Sequence, residues 1–151
     1  PEDRGAARVD ESAVVAEAAV LGEDVVVHPQ AAVLRSVTLG DNVTVGPGAV
    51  LENAILLPDV TINSGAVVTD CVVGANTTIG ANTTIEGGAA DVVLDEAVHR
   101  DVTLGALLGD NVTGHGNVTV EPGTIVGNDV TLGGGTYVSG RIDDGSHIQR
   151  G

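Results

Sequence analysis

A period of six residues runs through almost the whole chain, and few backbone geometries can accommodate it. Residues 73–88 read VGANTTIGANTTIEGG, with GANTT written twice and an aliphatic residue ahead of each copy. Traced outward, Val9, Val15, Leu21, Val27, Val33, Leu39, Val45 and Leu51 recur every six positions. One residue is dropped before Leu56, Ile62 and Val68, and another before Val73, Ile79 and Ile85. After an interruption the series returns as Leu108, Gly114, Val120, Val126, Leu132 and Val138. An α-helix needs a spacing near 3.6, which six does not supply.

The positions between the anchors say what each hexad does. Four places after an anchor the residue is small or β-branched, as at Val25, Ala31, Val43, Thr77, Thr83 and Val118. Residues two apart in an extended strand share a face, so triplets such as TTI and VTV point in, out, in. Three places after an anchor stand Asn42, Gly48, Gly65, Asn76, Asn82, Asn111, Gly123, Asp129 and Gly135. These residue types accept a left-handed backbone at low cost. Each hexad is therefore a short strand and a tight turn, and three hexads make a triangular coil. Residues such as Val15, Val33 and Leu51 then stack in a column.

That shape explains the composition. The 151 residues include no Phe, Trp or Met and one Tyr, because a narrow prism has room for aliphatic stacks and little else. It also explains five N-x-T sequons at Asn42, Asn76, Asn82, Asn111 and Asn117, which the repeat writes without any need for a sugar.

Charge bounds the partners. Six Arg and no Lys face 21 acidic residues, a net charge of −15. Such a surface repels itself unless salt screens it, and it has no basic patch for nucleic acid. The lysine-free, acidic composition resembles that of proteins from salt-accumulating halophilic archaea. No apolar run is long enough to span a membrane and no signal-peptide pattern is present, and Cys71 has no second cysteine, so a cytoplasmic site is expected.

The repeat of an aliphatic residue, often Gly, then Asn or Gly, then a small residue resembles the hexapeptide repeat of left-handed parallel β-helices. The hand comes from that resemblance, since general crossover preference is right-handed. The expected organisation is a linker at 1–8 from an upstream domain, a β-helix at 9–142 with one protruding loop at 86–107, and a tail at 143–151. Within the loop, DVVL and DVTL are placed to pair as a hairpin. The run LGALLGDNV, the placement of the loop and the two shortened coils of VLENAILLPDVTINSGAVVTDCVVG resemble the C-terminal domain of archaeal sugar-1-phosphate nucleotidylyltransferases. Bifunctional members of that family also acetylate an amino-sugar phosphate from acetyl-CoA.

The resemblance implies a homotrimer whose parent protein handles a sugar phosphate and a nucleotide sugar, with nucleotidyl transfer in the upstream domain. It associates Asn117 with the acetyl-transfer site, although Asn117 also fills an ordinary turn position. His115 stands where regular repeats have Gly, and is a candidate for substrate binding. Acetylating relatives open the loop with a segment that supplies a His general base, as deprotonating an amino group requires. Here that place reads EGGAAD, leaving His99 as the candidate base and Arg100 as the candidate phosphate ligand. Two readings follow: a trimerisation scaffold, or an amino-sugar-1-phosphate N-acetyltransferase using acetyl-CoA. A zinc site of the γ-carbonic-anhydrase kind is not expected from His28, His99, His115 and His147, which lack the close ligand spacing. An ice-binding Thr array is not expected either, since Thr78 and Thr84 fall on different faces.

Overall fold

The computed structural model describes the backbone of residues 2–4, 7–85, 89–94, 97–103 and 106–149, and the side chains of 7–85 and 106–149. Among the described residues every regular element is a β-strand, most only two or three residues long. Strand pairs a coil apart are parallel and in register, giving a solenoid of about 7 turns, a left-handed parallel β-helix.

Three faces run its length. On the first, Val9, Val27, Val45, Ile62 and Ile79 align, followed by Gly114, Leu132 and Ile148. The second stacks Val15, Val33, Leu51, Val68, Ile85, Val120 and Val138. The third stacks Leu21, Leu39, Leu56, Val73, Leu108, Val126 and Ile142. All but the terminal members are buried and form one aliphatic core. The in, out, in reading holds: Thr77 and Ile79 are buried and Thr78 between them is not. Buried Thr77, Thr83, Thr124 and Thr136 each give their hydroxyl to a backbone carbonyl, so they cost the core no unpaired donor.

The turn positions read from the sequence all have left-handed backbone, from Asn76 at φ 57° to Gly123 at φ 84°. Asp24, Gln30, Ser36, Asp59 and Asn117 join them. At such a corner the N–H donates to a carbonyl one coil back, as from Asn111 to Ala75 at 2.8 Å. One edge, between the third and first faces, adds a side-chain ladder. There Asp41, Asp110, Asn128 and Asp144 each accept the backbone N–H of the preceding coil at 2.8 Å.

The two dropped residues shorten successive corners of the edge between the second and third faces. Only Glu52–Asn53 and Thr69–Asp70 remain there, and the strands Val50–Leu56 and Val67–Val73 pass around the edge without a break. Ala54 and Cys71 then take the inward place three, not four, after the anchor. The loop leaves this same edge one coil later. It contains an antiparallel hairpin of Ala89–Leu94 with Ala97–Thr103, whose register differs from the expected pairing of DVVL with DVTL. DVVL faces Ala97–His99, and Val102 pairs instead with Ala90, with a bulge between Ala90 and Val92. Parallel pairing resumes at Ala106, opposite Cys71, so that Ala106 and Leu107 belong to the coil and not to the expected loop.

Both chain ends take more regular structure than the sequence suggests. Glu2–Arg4 pairs antiparallel with Ala7–Val9. His147–Ile148 pairs with Thr131–Leu132, so the coil runs past residue 142.

Candidate functional site

His115 and Asn117 lie together on the edge between the first and second faces, both exposed. The His115 N–H donates to the Leu132 carbonyl at 2.9 Å, and its carbonyl accepts the Thr83 hydroxyl at 3.4 Å. Asn117, at φ 60°, donates its N–H to the Ala81 carbonyl at 2.8 Å. Its backbone thus does what Asn42, Asn76, Asn82 and Asn111 do at their own corners, and its amide group takes no partner among the described residues. His99 and Arg100 lie on the hairpin strand Ala97–Thr103, with side chains outside the described residues. The hairpin springs from a different edge, so within one protomer the strand Thr119–Val120 separates its root from His115 and Asn117.

The irregular TGHG segment packs closely on the coil that precedes the loop. A Cβ on Gly114 would stand 3.2 Å from the Thr78 carbonyl oxygen, and a Cβ on Gly80 would run into the His115 carbonyl. The coils on either side of the loop are therefore stacked backbone to backbone. The LGALLGDNV run serves the same junction. Gly74 sits against the Gly109 carbonyl, Asp110 accepts the Ala75 N–H, and the Thr77 hydroxyl links the Gly109 carbonyl to the Val112 N–H. The motif that carries the family likeness closes the solenoid around an insertion.

Electrostatics single out two groups. Hydrogen bonds from the Ser12 N–H and hydroxyl hold the Asp10 carboxyl below its usual range. Burial, with the Asp70 charge beside it, pushes the Cys71 thiol up to about 12. Such a thiol is inert and no nucleophile. Among the described residues no three His, Cys, Asp or Glu side chains converge to hold a metal. His28 and His115 occupy the same edge position in non-adjacent coils. An open groove on the third face is lined by Thr38, Ile55 and Val72, with Ser36, Asn53 and Asp70 at its border, away from His115 and Asn117. Among the described residues no helix is long and apolar enough to cross a membrane.

A family model described as the GMPPB C-terminal domain matches residues 15–142. The chain belongs to that family of sugar nucleotidylyltransferase C-terminal domains. No curated protein sequence matches the chain. Solved structures similar to it include the acetyltransferase domain of PglB from Neisseria gonorrhoeae FA1090 in complex with acetyl coenzyme A. That structure is 21% identical with a TM-score of 0.62, over 95% of this chain and 54% of that one. PerB from Caulobacter crescentus, in complex with CoA and GDP-perosamine, is 24% identical with a TM-score of 0.57, over 91% and 51%. The UDP-N-acetylglucosamine acyltransferase of Francisella novicida is 15% identical with a TM-score of 0.63, over 93% and 62%. At these identities the likeness shows the shared fold alone, and the chain spans only 51% to 62% of their lengths.

Proposed function

We propose that this domain serves as the assembly scaffold of a sugar-1-phosphate nucleotidylyltransferase, holding three copies together while nucleotidyl transfer takes place in an upstream domain. The observation that carries this reading is the use to which the candidate residues are put. Asn117 and His115 both support the stacking of their coil through backbone groups, and the family motif closes the solenoid. Among the described residues no side chain hydrogen-bonds the His115 ring or the Asn117 amide, as orienting a general base and its partner would require.

The competing reading, acetyl transfer to an amino-sugar phosphate from acetyl-CoA, draws on the exposed Asn117 amide and on a hairpin that bears His99 and Arg100. In that reading His99 acts as base, Asn117 holds the acyl carbonyl or the amino group, His115 contacts substrate and Arg100 meets a phosphate, in a cleft between two subunits. Incubation with acetyl-CoA and glucosamine-1-phosphate in molar salt separates the two. The scaffold reading expects no turnover. Turnover that His99→Ala or Asn117→Ala abolishes would overturn it.

A further inference from the structure

Asp144 is followed by Gly145, the only Asp–Gly step in the chain, and no Asn–Gly step occurs. An aspartate ahead of a residue with no Cβ is open to attack on its side chain by the next backbone nitrogen, because nothing shields that nitrogen. In the fold both reacting groups are engaged by one residue of the coil before. The Asn128 N–H donates to the Asp144 carboxylate at 2.8 Å, and the Gly145 N–H donates to the Asn128 carbonyl at 2.9 Å. Asp41 and Asp110 hold the same ladder position, but Asn42 and Asn111 follow them. Asp144 also stands on the last coil. Among the described residues, the strands Arg141–Ile142 and His147–Ile148 pair on one side only. Ile142 and Ile148 are partly buried, where Val126 and Leu132 one coil back are buried. An end coil of this kind opens more readily than the body of a solenoid. Its corner has no spare room: a Cβ on Gly127 would run into the Asp144 carboxylate and lie 2.8 Å from the Asp144 nitrogen.

We propose that Asp144 is a site of spontaneous isoaspartate formation, held in check by the folded last coil, and that its reaction keeps that coil from closing again. The chemistry needs only water. The Gly145 nitrogen bonds to the Asp144 side-chain carboxyl carbon, and a carboxyl oxygen leaves as water, taking the amide proton and one from solvent. Water then opens the five-membered ring at either carbonyl. One opening restores Asp144; the other routes the main chain through the Asp144 Cβ and Cγ and leaves the carboxylate on Cα. In the closed coil the amide proton and the carboxylate are both bonded to Asn128, so both bonds must break before the nitrogen attacks. Local opening of the last coil breaks them together. The rearranged product adds one main-chain atom at a corner with no room for a methyl group. It also moves the carboxylate off its ladder position, so the Asn128 N–H loses its acceptor and the core at Val126 and Leu132 stays uncovered. Charge favours the opening. Asp129, Asp143 and Asp144 crowd one edge, and dilution of salt increases their repulsion.

Long incubation of the 151-residue chain in heavy-oxygen water and molar salt tests this. Each passage through the ring adds one heavy oxygen, and fragmentation mass spectrometry places it, with the extra main-chain atom, at residue 144. The folded chain is expected to react at least about tenfold more slowly than the free peptide of residues 141–149. Ile148→Ala, which loosens the last coil, should speed the folded chain about fivefold, while circular dichroism confirms that the rest of the domain stays folded. Gly145→Asp copies the left-handed Asp129 corner one coil back and should leave residue 144 essentially unlabelled. In the modified fraction the Asn128 and Thr131 amides, which donate to the Asp144 carboxylate and the Ser146 carbonyl, should lose protection from hydrogen exchange. The Thr113 amide, which donates to the Val130 carbonyl, should keep it. A folded chain that reacts as fast as the peptide would overturn the guarding role, as would an Ile148→Ala chain that stays unlabelled. Modified chains in which Asn128 and Thr131 remain protected would overturn the loss of the coil.

Discussion

The amide of Asn53 donates to the carboxylate of Asp70 at 2.7 Å across one coil, at the two corners that are each one residue short. Both residues have left-handed backbone, Asn53 at φ 48° and Asp70 at φ 51°. The pair thus links two compressed corners directly below the root of the hairpin. Replacing Asn53 with Ala should cost about 1–2 kcal/mol for a left-handed residue with a Cβ and no local hydrogen bond, plus about 1 kcal/mol for the lost bond. Asn53→Gly keeps the backbone and should lose only the second part. Urea titrations of the two variants give the comparison; equal losses would mean that the backbone conformation contributes nothing.

Inward and outward positions should respond differently to charge. Asp at Val45 or Ile79 would put an unpaired carboxylate into a dry aliphatic column, costing roughly 3–5 kcal/mol. Asp at the outward neighbours Thr44 or Thr78 should cost well under half of that. Thermal melts in high salt read the difference, and equal damage at both places would contradict the assigned faces.

The junction around the loop should be intolerant of a single methyl group where the coils touch. Gly80→Ala drives a Cβ into the His115 carbonyl, so two backbone segments must separate and the melting temperature should fall steeply. Gly134→Ala, on the same edge, places its Cβ at an ordinary 3.5 Å from the Gly116 carbonyl oxygen and should be nearly neutral. Differential scanning calorimetry of the two variants checks this.

Cys71 should resist alkylation by iodoacetamide at pH 8 while the protein is folded, and react at once in denaturant. Its pKa moves from 9.0 to about 12 on folding, so the folded state holds the proton more tightly than the unfolded state. Stability from this group is complete below pH 9 and is lost as pH rises toward 12. Cys71→Val should remove that share of the alkaline loss, measured by unfolding at pH 8 and 11.

Salt should stabilise the domain, because screening weakens repulsion along the acidic edge. The melting temperature is expected to fall when salt drops from molar to tens of millimolar. Asp110→Asn should reduce that dependence without breaking the ladder, since Asn128 already accepts the N–H of Asp110 in the next position of the same column. A melting temperature indifferent to salt would remove the halophilic reading of the composition.

Local chemistry settled much of this protein before any folding. A hexad with one inward aliphatic residue and one residue suited to left-handed backbone specifies its own strand and corner, so the three faces, the buried Thr residues and the corner Asn residues were readable from Val9 to Val138. The loop was readable as the place where the period fails. What only the stacked structure decided was alignment between coils. Thr44, Thr61, Thr78, Thr113 and Thr131 are spread along the chain, and nothing in any one hexad says that they form a column; the dropped residues and the loop reset the phase before they meet. The same holds for the column of Val20, Thr38, Ile55, Val72, Leu107 and Ile125, and for the separation of the edge that bears the hairpin from the edge that bears Asn117. Outward residues contribute little to the choice of fold, since water receives them either way. Their grouping into columns emerges only when the ladder hydrogen bonds bring each coil into register with the next.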